Sequence, residues 1–336
     1  MQLTERQLRR FADITFAVCV AFYLVDLLLP PIASMATGHG WYWNGSVTDA
    51  VLSLITVLFP VVGVLVARRQ PRNAVGWVML AVGLLASLPL SAYYDYADAV
   101  GRPSLVGADV AAALESTFWA PLLGLMGTFL ILLFPDGHLP TPRWRFVAWL
   151  SGFSIAYIYL AVTFSPGKIP QAGRLIDNPL ALPLLGDGEQ ILAPSLALFP
   201  LSIVLCAAGL VVRFRRSTGT ERLQMKWLAT AGAIVAFAYA IAMAANLSAH
   251  GTWATSDPLW LQIIEQVAVF TFGLIPVAIG VAILKHGLYN LDLVINKAVV
   301  FGLLAAFITV VYVAIVVGVA RLAGSGDRLN LALSIA

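Results

Sequence analysis

Runs of about 20 apolar residues recur along the whole chain, and a run of that length crosses the hydrocarbon core of a bilayer as one helix. Lipid offers a backbone no hydrogen bonds, so a spanning segment must satisfy its own, as a helix does. A membrane β-barrel would instead alternate over segments of about ten residues, and no such alternation is visible. Charged residues make up 11% of the 336 positions and hydrophobic ones 60%. A soluble domain carries about a quarter charged residues, which excludes an ordinary globular fold. The sequence therefore predicts an all-α fold, a polytopic transmembrane helical bundle. Nine full spans are expected, at 11–29, 50–67, 74–92, 110–134, 146–164, 191–212, 227–247, 259–284 and 298–320, with a truncated tenth starting near Leu329.

The cationic residues give these spans a direction. With this span list, fifteen of the twenty Lys and Arg fall in one set of loops and five in the other. The basic set is expected to be cytoplasmic, which places the N-terminus inside and the chain in the plasma membrane. Trp77, Trp144, Trp149 and Trp227 fall at inner ends and Trp41, Trp43, Trp253 and Trp260 at outer ends, as an interfacial belt would. The opening stretch to Ala36 also resembles a signal peptide with a small-residue site at 34–36, although Asp13 and Asp26 interrupt its apolar run. Net charge is only +3, too little to argue for nucleic acid.

The loops carry little chemistry. The longest outer one, 165–190, has 26 residues rich in Pro and Gly, too few for an independent domain. The inner loops "RRQPRN", "FPDGHLPTPRWR" and "RFRRSTGTERLQMK" are basic turns, expected to serve as topological anchors against anionic headgroups. There is no Walker loop, GxSxG, HExxH or CxxC. His39, His138, His250 and His286 are scattered, and Cys19 and Cys206 sit singly in apolar runs. No catalytic residue, metal site or cofactor is expected in this chain.

Ionisable residues inside lipid are costly and mark function by default. Asp13 lies near the inner end of the first span and is expected to be an ordinary first-turn residue. Asp26, Glu115 and Glu265 fall in the outer thirds of their spans and could line one cavity open to the outside. Trp119, four residues after Glu115, would share its helix face. An acid beside an aromatic suits a cationic or amphipathic ligand. The plainer alternative is that each acid only bonds a neighbouring helix. Pro60, Pro89, Pro121, Pro200 and Pro276 fall within spans, where proline bends a helix.

Between the eighth and ninth spans runs "KHGLYNLDLVINKAVVFG". Leu288, Leu291, Val294 and Ile295 recur at helical spacing against Lys285, Asn290, Asp292, Asn296 and Lys297. That pattern predicts a short amphipathic helix over 285–297, lying in the inner interface. The expected organisation is an eight-span bundle at 1–284, this interfacial helix, and a final hairpin at 298–336 whose second helix is cut short. The seven or so apolar residues of "LNLALSIA" fall far below the roughly 20 a span needs, so a fragment or truncated product is expected.

The stretch "HGLYNLDLVINKAVVFG" resembles the juxtamembrane signature of sensor histidine kinases frequent in high-GC Gram-positive bacteria, approximately Y-x-L-Y-D-I-D-x-V-I-N-R-T-L-V-Y-G. Leu288, Tyr289, Asp292, Val294, Ile295, Asn296 and Gly302 match, while Asn290, Lys297 and His286 depart from it. "RRQPRNAVGWVMLAVGLL", "LLFPDGHLPTPRWRFVAWL" and "RFRRSTGTERLQMKWLA" are also similar to that family, in the same order. The resemblance implies a membrane-embedded sensory input region, with Tyr289, Asp292, Asn296 and Lys297 as signal-coupling candidates. It implies homodimerisation through the final hairpin and output domains, and a response regulator as partner. ATP and Mg²⁺ would belong to the kinase domain, which this chain lacks. A small-molecule transporter with Asp26, Glu115 and Glu265 on its path is the alternative, and a non-catalytic membrane anchor is a third reading.

Overall fold

The computed structural model describes residues 4–38, 47–100, 105, 107–171, 174–185, 188–248 and 259–285. Helix dominates, and eight stretches are long and apolar enough to cross a membrane: Glu5–Ala36, Leu52–Arg69, Ala74–Ala99, Ala108–Leu133, Pro142–Phe164, Leu198–Arg216, Gly219–Ala242 and Trp260–Ile283. They coincide with the first eight expected spans. The expected ninth span, the truncated tenth and the 285–297 helix beyond Lys285 lie outside the described residues.

The chain divides into two compact units, the first made of Met1–Asn44 and Phe59–Thr218, the second of Gly45–Leu58 and Gly219–Ala336. The first unit begins with α1 (Glu5–Ala36). Thr4 starts it with a capping box: its hydroxyl accepts from the Gln7 N–H, and the Gln7 side chain accepts from the Thr4 N–H, which satisfies two of the helix's orphan donors. The residues of α2 (Val47–Arg69) from Phe59 onward pack beside α3 (Ala74–Ala86) through small residues. A Cβ at Gly63 would lie 2.9 Å from the Leu80 backbone nitrogen, and one at Gly76 would lie 2.9 Å from that of Ala67. Lipid tails are as apolar as leucine, so such helices associate through close packing and not through expulsion of water. Ala12, Val64, Ala67 and Leu80 form a buried cluster there, with Phe16 and Trp77 against it.

Three of the in-span prolines divide their helices. α3 stops at Ala86 and α4 (Leu90–Ala99) starts just after Pro89. The fourth span is three pieces, α5 (Ala108–Glu115), α6 (Trp119–Gly127) and α7 (Phe129–Leu133). Pro121 is the third residue of α6, where a missing N–H costs nothing because the first turn of a helix has no intrahelical acceptors. Pro60, by contrast, stays inside an unbroken α2, its ring seated 2.5 Å from where a Gly83 Cβ would stand.

α8 (Arg145–Phe164) follows a short 3₁₀ turn at Pro142–Trp144. The loop expected at 165–190 holds structure: β1 (Lys168–Gln171) pairs antiparallel with β2 (Arg174–Asp177). Asn178 fastens this hairpin to α8, its amide donating to the carbonyls of Thr163 and Ser165 at 2.9 Å each. α9 (Gly188–Arg216) returns along α8, where Leu132, Val147 and Cys206 are buried together. The Ser151 hydroxyl lies 3.4 Å from the Cys206 sulfur.

In the second unit, α10 (Gly219–Ser248) packs on α11 (Leu259–Phe270) and α12 (Leu274–Gly280). Met225, Leu228, Ala231, Val235 and Ala242 form the buried face of α10, at helical spacing. Pro276 again sits in the first turn of its helix, after a 3₁₀ turn at Thr271–Gly273. A π turn at Val281–Lys285 follows, and Gln224 donates its amide to the Ala282 carbonyl at 3.0 Å. Tyr239 meets Phe272 edge-on, ring centres 5.2 Å apart.

Candidate functional site

Two polar clusters stand at opposite ends of the first unit. α1 links them: Asp13, near one end, accepts from Arg68 Nε at 2.5 Å. Asp13 is thus paired across to α2 and is not the first-turn residue its position suggested, because α1 already begins at Glu5. Asp26 lies about 20 Å further along the same helix, at 1.5 Å per residue.

At the far end, Asp26 of α1, Asp95 of α4 and Glu115 of α5 gather. The carboxylates of Asp95 and, second, of Asp26 lie within electrostatic reach of Glu115. The structure therefore brings together two of the expected acids and adds Asp95. The sequence pattern hides Asp95 because the expected third span stops at 92, whereas α4 runs to Ala99. Like charges this close to a half-buried carboxyl repel it, and a cation nearby would relieve that repulsion. Among the described residues no group of three such side chains is spaced to hold one metal ion.

Glu115 ends α5 and Trp119 begins α6. Between them the winding tightens: Thr117 N–H bonds Leu114, Phe118 N–H bonds Glu115 and Ala120 N–H bonds Thr117, each three residues back. A four-residue step therefore no longer returns to one face, and Trp119 is 44% exposed on the outside of the unit. Glu265 is half-buried in α11 of the second unit. Tyr289, Asp292, Asn296 and Lys297 lie outside the described residues.

At the near end the basic turns interlock. Asn73 caps α3, accepting from the Val75 N–H at 3.0 Å, and its amide donates to the Pro135 carbonyl at 2.9 Å. Asn73 is buried. Gly137, at φ +80°, lies against it, so that a Cβ there would stand 2.6 Å from Asn73 Oδ1. Asp136 accepts from the His138 N–H at 2.9 Å and is ion-paired with Arg213 of α9. Arg213 also donates to the His138 carbonyl at 2.9 Å, and its side chain is 12% exposed. Two of the belt tryptophans turn inward here. Trp77 donates to the Pro71 carbonyl at 2.9 Å, and the Trp144 ring lies 3.0 Å from where a Gly209 Cβ would be. The basic turns expected as topological anchors are thus also bonded to one another. The only advance signal was the pairing of turn formers, Asp136-Gly137, with basic residues.

The described residues define a helical protein with eight helices long and apolar enough to cross a membrane. No family model, curated protein or solved structure matches the chain.

Proposed function

We propose that the chain is the membrane-embedded sensory input region of a two-component histidine kinase. In this reading it sits in the plasma membrane with the N-terminus in the cytoplasm, nine full spans and the start of a tenth. The observation that carries it is the near-end cluster. Asn73, Asp136 with Gly137, and Arg213 come one each from three of the segments that resemble sensor kinases, and they meet in one hydrogen-bonded group. That group stands among the basic turns, the side where a kinase domain with ATP and Mg²⁺ would act. The carboxylates of Asp26, Asp95 and Glu115 at the other end are the input site, suited to a cationic or amphipathic stimulus. Such a ligand shifts signalling only by binding one packing of the bundle better than another. The final hairpin would join two copies, and a response regulator would receive the phosphoryl group.

The test is the reading frame beyond Ala336 together with the output it encodes. A frame that completes a helix and continues into a phosphoacceptor helix pair and an ATP-binding domain is expected. Charge-neutral Glu115→Gln in that full receptor should alter phosphotransfer while membrane insertion is kept. A frame without kinase modules, with no kinase partner, sinks the reading. The carboxylate cluster also favours a second reading, a permease for cationic solutes, which predicts uptake into proteoliposomes by this chain alone.

A further inference from the structure

α8 presents a continuous ladder on one face. Arg145, Trp149, Gly152, Ala156 and Tyr159 step by four and three residues, which keeps them within an arc of about 80° at 100° per residue. Arg145 at its start and Arg143 just before it are exposed, and neither forms an ion pair among the described residues. Trp149 is 79% exposed. Below it the ladder borders an open groove of about 340 Å³, walled on the other side by Leu125 and Phe129 and almost wholly apolar. Phe118, stacked on Tyr159 with ring centres 5.9 Å apart, closes its far end. The distance from Arg145 to Tyr159 is about 21 Å along the helix. One leaflet of a bilayer, headgroups included, is about 20–22 Å deep.

We propose that this face of α8 is a site for a single anionic phospholipid, its phosphate on Arg143 and Arg145 and one acyl chain in the groove between α8 and α6–α7. The inference rests on α8 crossing a bilayer. The two guanidinium groups supply the charge complementarity, since Arg pairs well with phosphate oxygens. Trp149 covers the ester region at the depth where indole rings settle. The absent side chain of Gly152 and the single methyl of Ala156 make the room: a Cβ at Gly152 would meet only Phe129, at 3.8 Å, so a larger residue there would enter the groove and not the backbone.

Purified protein titrated with phosphatidylglycerol or phosphatidylcholine, with retained lipid counted by native mass spectrometry, tests the site. Wild type should keep one phosphatidylglycerol per chain, with a preference over phosphatidylcholine of roughly tenfold or more. Arg143→Ala with Arg145→Ala should bring that preference down to about one. Gly152→Leu, and independently Ala156→Leu, should lose lipid of either headgroup while eluting as wild type does. No headgroup preference in wild type, or lipid retained by both groove variants, overturns the proposal. Resistance to carbonate extraction is scored separately, so a protein that inserts but keeps no lipid counts against the groove, and one that fails to insert counts against the spans.

Discussion

Gly137→Ala is the sharpest probe of the near-end cluster. Two costs arise at this position. The first is backbone: φ is +80°, and a left-handed conformation costs a residue with a Cβ about 1–2 kcal/mol. The second is contact. The new Cβ would abut the Ala74 backbone nitrogen and stand 2.6 Å from Asn73 Oδ1 and 2.9 Å from Asn73 Cα, and Asn73 would have to withdraw. Withdrawal gives up the α3 cap, worth about 1 kcal/mol, and the buried bond to Pro135, worth about 0.5–1.5 kcal/mol. The total is about 2–5 kcal/mol by these magnitudes. Gly107 is the control, at φ +86° with nothing within 4 Å of its would-be Cβ, so Gly107→Ala should cost only the backbone term. Reversible unfolding in mixed detergent–SDS micelles measures both. Asn73→Ala should then cost less in the Gly137→Ala background than alone, because the cap has already gone. Equal losses for the two glycine variants, or strict additivity with Asn73→Ala, would refute the account of the cluster.

Other positions give independent checks. Gly124→Ala should destabilise the first unit by about 1–3 kcal/mol through overpacking, since its Cβ would run into the Ile155 side chain, 2.8 Å from Cδ1; adding Ile155→Val should recover part of the loss in the same unfolding assay. Arg213→Ala should cost about 1–2 kcal/mol, and Asp136→Asn less, because the arginine is 12% exposed and the aspartate 51%, so water replaces the bond to the aspartate more readily. A larger loss from Asp136→Asn would contradict that ordering. Glu115→Gln should leave thermal stability unchanged or raise it by up to about 1 kcal/mol, because it removes a half-buried ionisable carboxyl held near two other carboxylates. A clear loss would mean that the carboxylate holds the helices together.

The spans were legible because one physical requirement sets them, an apolar length matched to a bilayer, and Leu198–Arg216 or Trp260–Ile283 needs no partner to reveal it. The breaks were not. Pro60 and Pro121 look alike in sequence, yet only the second marks a new helix start. Pro60 fits within α2 because Gly83 on the facing helix leaves space for its ring, a fact about a residue more than twenty positions away. The same limit hid Asp95, which joins Asp26 and Glu115 only because a new helix, α4, starts after Pro89 and runs to Ala99. It also hid the near-end cluster: Asn73, Gly137 and Arg213 read as local turn and charge signals until the fold sets them side by side.

The two ends of the first unit are held by different forces, and under the proposed function that difference has a direction. The near end is fixed by a buried asparagine with both amide functions bonded and by a nearly buried arginine, groups whose displacement leaves unsatisfied polar atoms. At the far end Glu115 of α5 lies within electrostatic reach of Asp95 on α4 and Asp26 on α1, and the tightened turn at Ser116–Phe118 replaces regular helix bonds. Repulsion of this kind favours any rearrangement, or any bound cation, that separates or neutralises the charges. A ligand can bias a bundle only where two packings differ little in energy. The proposed function would therefore place input at Asp26, Asp95 and Glu115, on the side of the unit away from the capped cluster.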